Sequence, residues 1–158
     1  MWSASTAASA AFALCAVVAA LEGVCAGRNV RAFFQTLRFP RYSAPLWVWS
    51  IIGLAYYAIF GFMTFRLLSA VPPSLLARTT LALILVMMVG NALANLVIFR
   101  ARDLQLSAVI GGVFAGLDAI LAICLLQLDR VAASALVPYL VYRVYAVWWG
   151  RALARLNR

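Results

Sequence analysis

Long apolar runs broken by short polar stretches dominate the chain, with no strict alternation inside them. Five runs reach the ~20 residues that a membrane-crossing helix needs: 4–25, 46–68, 79–99, 104–128 and 131–149. Their polar interruptions are few. Glu22 and Arg66 stand near run ends, the third run carries Asn91 and Asn95 but no charge, the fourth holds Asp118 and the fifth Arg143. Lipid offers the backbone no hydrogen-bond partner, so such runs are expected to be helices. Strands of a membrane barrel would be ~10 residues long and alternating. The expected fold is therefore all-α, one domain over 1–158 forming an integral membrane bundle of five transmembrane helices. The first run is expected as a retained helix, because no basic residue precedes it and it exceeds a usual signal-peptide core. "VPPS" at 71–74 reads as a turn before the third helix, and 26–45 reads as a long first loop.

Composition agrees. The chain is 67% hydrophobic and 11% charged over 158 residues, against roughly 45–50% and about 25% in soluble domains. All thirteen basic residues are arginine, giving a formal charge of +9. In a soluble protein that charge would suggest nucleic acid. Here the arginines flank the runs, so the expected partners are the bilayer and anionic lipid such as cardiolipin. Counting sets an orientation. Arg28, Arg31, Arg38, Arg41, Arg100, Arg102, Arg151, Arg155 and Arg158 fall on one side, and Arg66, Arg78 and Arg130 on the other. The first loop, third loop and C-terminus are expected on the cytoplasmic or matrix-like face of a bacterial inner or mitochondrial membrane. Three cysteines, with no CxxC, read as packing residues. With no histidine and four carboxylates, no metal site is expected and haem ligation by histidine is impossible. No nucleophile–base pair suggests a catalytic residue.

The intramembrane charges pair by depth. The turn between the last two helices falls near residues 129–130, equidistant from 118 and 143. In an antiparallel hairpin both residues then lie ~17–20 Å from the turn, near the bilayer centre. An isolated charge there costs ~2.5–3.5 kcal/mol or more, so an Asp118–Arg143 ion pair is expected, clipping the two helices or lining a cavity. Glu22, close to Arg28 and Arg31, is expected in an interfacial salt bridge. Asn91 and Asn95 share a helix face and are expected to bond neighbouring helices or to line a cavity. Gly112 and Gly116 stand at a spacing that permits close helix approach.

Several short motifs occur in order. "FFQTLRFPRYSAPLW" at 33–47 carries Leu37, Pro40, Pro45 and Trp47; Tyr57 and Gly61 follow on the second run, Asn91 on the third, and Pro138, Tyr139 and Leu140 on the last. This series resembles the TspO/MBR family of translocator and tryptophan-rich sensory proteins, from about Val30 to Asn157. The resemblance implies a five-helix bundle, often dimeric, with a cavity opening toward the first loop that takes tetrapyrroles or sterols. It requires no cofactor, a porphyrin, haem or sterol entering only as ligand. By that resemblance Trp47, Tyr57, Asn91, Tyr139 and Tyr142 are the candidate ligand contacts. The departures cluster. Gly53, Ala94 and Tyr142 stand where the family has tryptophan, Gly150 replaces an asparagine, Asp118 replaces a small residue, and Arg151 replaces the tyrosine of the family's sterol motif.

The resemblance implies an integral membrane protein that binds or transports a flat hydrophobic ligand. The alternative is a structural accessory subunit of a larger membrane complex, such as a respiratory one, that kept the fold and lost the pocket. Light-dependent porphyrin degradation, implied for some family members, would make it an enzyme.

Overall fold

In the computed structural model, which describes all 158 residues, the helices are α1 (Ala4–Ala26), α2 (Val30–Gln35), α3 (Leu46–Ser69), α4 (Leu75–Asn95), α5 (Leu104–Leu128) and α6 (Arg130–Leu156). A π-helical turn, Leu96–Arg100, prolongs α4. There is no strand. Five of the helices, with α4 counted through Arg100, are long and apolar enough to cross a membrane.

Short polar residues start most of them. Side chains of Ser3, Ser74 and Asp103 accept from the backbone N–H of Thr6, Ala77 and Leu106 at 3.2, 3.1 and 2.8 Å, satisfying donors that a helix leaves orphaned at its first turn. Ser74 explains why α4 begins at Leu75, four residues before the boundary expected from apolarity alone. Helix α6 likewise runs on to Leu156 rather than ending at 149, and it continues through Pro138. Its last turns are amphipathic, with Leu153 and Ala154 buried and Arg151 and Arg155 exposed, so hydropathy fades while the helix does not. The expected first loop contains α2.

Helix α1 packs against α3 and α4, α4 against α5, and α6 against α5 and α3. Two glycines permit the closest approaches. A Cβ on Gly61 would lie 3.0 Å from Cys15 Sγ on α1, and one on Gly90 would lie 3.0 Å from the Phe114 ring on α5. The three cysteines are free thiols.

The bundle has two unlike halves. Toward the α5–α6 turn it is solid: Phe60, Met63, Ile84, Met87, Leu121 and Leu136 are almost wholly buried in one cluster. The outward faces remain apolar, as at Val17, Leu54 and Val144, which suits hydrocarbon. The opposite end carries the connections 27–45 and 101–103 and the end of α6, and it is hollow.

An ion pair closes the solid end. Arg66 Nε donates to Asp129 Oδ2 at 2.7 Å, and Asp129 Oδ1 caps α6 by accepting from Val131 N at 2.9 Å and Ala132 N at 3.4 Å. The Arg66 hydrogen bond holds the Asp129 carboxyl below its ordinary range, aided by those backbone donors. A depressed folded pKa means this stabilisation is present above the unfolded value, ~3.9, and is lost as pH falls through the lower folded value. The thermal stability of detergent-solubilised protein should therefore decline in acid below about pH 4–5. Asp129→Asn should make that decline shallower, and identical slopes for the two proteins would contradict this assignment.

Candidate functional site

The hollow half holds a partly open cavity of about 770 Å³, within the ~300–1,000 Å³ usual for small-molecule sites. Each long helix contributes one face. Helix α3 supplies Leu46, Trp49, Ser50, Gly53 and Tyr56, a helical i, i+3, i+4, i+7, i+10 series. Asn91, Ala94 and Asn95 come from α4, and Ile98 and Phe99 from its π turn. Helix α5 adds Ser107, Ile110, Gly111 and Phe114, while α6 adds Tyr139, Tyr142, Arg143 and Trp149. Glu22 of α1 and Arg28, Arg31 and Phe34 of the first connection complete the wall. Aromatic, aliphatic and polar side chains share the wall, with polar or charged groups as numerous as aromatic ones.

The space exists because large side chains are missing. A Cβ built on Gly53 or Gly111 would meet nothing within 4 Å. Gly53, Ala94 and Tyr142, the positions where the family resemblance leads one to expect tryptophan, all line the cavity.

The floor is the charge pair. Arg143 Nε donates to Asp118 Oδ2 at 2.6 Å, and Arg143 Nη2 donates to the Tyr139 hydroxyl. The guanidinium also lies 5.0 Å from the Tyr139 ring centre and 5.6 Å from that of Phe114, distances at which an aromatic face attracts a cation. Asp118 is 1% exposed and sits behind Arg143, outside the cavity wall. Its Oδ1 has no partner, nor has the buried Tyr56 hydroxyl, which belongs to the cavity wall. Arg143 thus faces the cavity while anchored from behind, where the solid half begins.

The first connection forms the roof, tied to α6 and to the start of α3. Trp149 Nε1 donates to Ser43 Oγ at 2.6 Å and Trp49 Nε1 to the Ala44 carbonyl at 3.1 Å. The Tyr145 hydroxyl accepts from Ala44 N at 3.1 Å and donates to the Tyr42 carbonyl at 3.0 Å. Asn157 Oδ1 and Nδ2 bracket the Arg38 backbone at 2.8 and 2.9 Å. The indoles of Trp49 and Trp149 pack together with ring centres 4.6 Å apart.

Asn91, Tyr139 and Tyr142, three of the candidate contacts, line this space, as does Arg143. Two candidates do not. Trp47 is 66% exposed; at 100° per residue it points roughly 140° away from the cavity face of α3. Tyr57 is not part of the lining; its hydroxyl donates a hydrogen bond to Glu22 Oε2 on α1. Glu22 accordingly serves Tyr57, and the expected bridge to Arg28 or Arg31 is not formed; the two ion pairs are those of Arg66 and Arg143. Asn95 does not reach across to another helix. Its amide donates to the Asn91 and Ala92 carbonyls at 3.0 and 3.3 Å, on the helix stretch that leads into the π turn. Sequence reasoning passed over Trp49, Tyr56, Gly111 and Trp149. A 3.6-residue phase running through Gly53 reaches Trp49 and Tyr56, though it reaches Tyr57 equally.

The TspO/MBR family model matches residues 11–150, so the chain belongs to the TspO/MBR family. No curated protein matches the chain.

Proposed function

We propose that this TspO/MBR family membrane protein uses the cavity to bind, and in binding to carry, a flat hydrophobic ligand of the tetrapyrrole or sterol class. The observation behind this reading is the cavity of about 770 Å³ with aromatic side chains in its wall, kept open by Gly53, Ala94 and Gly111. Stacking on Trp49, Tyr142 and Phe114 suits a planar ring system. Arg28 and Arg31 in the wall suit an acidic substituent, and Asn91 and the unpartnered Tyr56 hydroxyl offer neutral hydrogen bonds. An accessory subunit with an abandoned pocket would be expected to have filled this space; the geometry favours a site still in use. In the same reading the Arg-rich end, with the cavity beneath it, faces the cytoplasm or a matrix-like compartment.

Protoporphyrin titrated into detergent-solubilised protein should quench tryptophan fluorescence saturably in the micromolar range. Trp49 and Trp149 should carry the signal. Trp47→Ala should bind within about twofold of wild type, while Trp49→Ala should weaken binding about tenfold, the cost of losing a buried aromatic contact. Equal effects of the two substitutions would reject this cavity as the site.

A further inference from the structure

A second concavity lies outside the cavity, on the lipid-facing side where the start of α5 meets the end of α6. Arg151, Arg155 and Arg158 line it together with Val109, Gly112 and Val113. Arg151 and Arg155 stand at i and i+4 on one face of α6, and Arg158 lies just beyond its end. None is in an ion pair. The side-chain carboxylates at this end of the bundle are committed elsewhere: Asp103 caps α5 and Glu22 accepts from Tyr57. The groove wall holds no acidic residue. The Arg151 guanidinium lies over Gly112: a Cβ there would touch Nη2 at 3.8 Å, an ordinary van der Waals contact. Below the arginines the floor continues as the exposed apolar faces of Val109 and Val113.

We propose that this groove is a binding site for an anionic phospholipid, its phosphate held by Arg151 and Arg155 and an acyl chain lying along Gly112 and Val113. Charge complementarity selects the headgroup, because three unpaired guanidinium groups around one concavity call for an anion. Depth selects a lipid over a soluble anion. Gly112 lies eight residues inside α5, ~12 Å along its axis, so Arg151 reaches toward the hydrocarbon rather than the aqueous phase. A sterol would bring one neutral hydroxyl and leave the charges unmet.

The test is native mass spectrometry of the full chain released from detergent with added phosphatidylglycerol, phosphatidylcholine or inorganic phosphate. Wild type should retain phosphatidylglycerol saturably and at low stoichiometry, well above phosphatidylcholine. The triple variant Arg151→Gln, Arg155→Gln, Arg158→Gln should lose roughly a hundredfold in affinity, at about 1 kcal/mol per arginine. A control removing the same charge from the same end, Arg38→Gln, Arg41→Gln, Arg102→Gln, should lose less than tenfold. Gly112→Leu keeps every charge but fills the floor, and should also bind at least about tenfold more weakly; it keeps the question open to refutation should the triple variant misfold. Equal loss in the two triple variants would mean a diffuse field rather than a site. Binding of inorganic phosphate as tight as that of the lipid, or an unaffected Gly112→Leu, would equally overturn the proposal.

Discussion

Asp118→Asn, with Arg143 left in place, is expected to cost about 3 kcal/mol of stability in detergent, the low end for removing one partner of a buried ion pair. Arg143 Nε now donates to Asp118 Oδ2 at 2.6 Å, and the carboxylate is 1% exposed. Without that charge the guanidinium keeps only the Tyr139 hydroxyl and two aromatic faces. It borders the cavity, where water can reach it, which is why the low end of the range applies. Replacing both residues, Asp118→Leu with Arg143→Leu, should restore most of the loss, since a buried pair exchanged for apolar groups is often neutral. Thermal unfolding of the three proteins in one detergent reads this directly. An unchanged transition in Asp118→Asn would show that the pair stabilises nothing.

Filling the cavity should separate binding from folding. In Gly111→Trp the new Cβ meets nothing within 4 Å, and the indole projects into the space that a ligand would occupy. Replacing a helical glycine itself favours the helix by up to ~1 kcal/mol, so thermal stability should hold or rise. Protoporphyrin affinity should fall between about tenfold and a hundredfold, the equivalent of 1–3 kcal/mol of overlap. Retained affinity alongside retained stability would place the ligand elsewhere.

The bundle was legible because the physics of the bilayer is strict. Five apolar runs of sufficient length leave little alternative to helices, and both intramembrane charges could be located by equal distance from one turn. What escaped depended on finer phase and on polar chemistry. Helix α6 outlasts its apolar run because burying Leu153 and Ala154 needs only one face. The α2 helix is too short, at six residues, to announce itself by periodicity. Trp47 is the motif residue, yet Trp49, two positions on, occupies the cavity side. Glu22 lay near arginines in sequence, but the tyrosine hydroxyl on the neighbouring helix reaches it, a contact that one-dimensional spacing does not encode. The cavity itself is written in absences: Gly53, Ala94 and Gly111 become visible as empty space only once their helices are placed.

A planar ligand held in the hollow half of the bundle, above Arg143, is the reading proposed above. The measurement that tests it most directly is a structure of the protein saturated with protoporphyrin in a lipid nanodisc. The macrocycle is expected between α3, α4, α5 and α6, in contact with Trp49, Phe114 and Tyr142, with its acidic arms toward Arg28 and Arg31. A macrocycle bound on the lipid-facing surface with the cavity empty would contradict it.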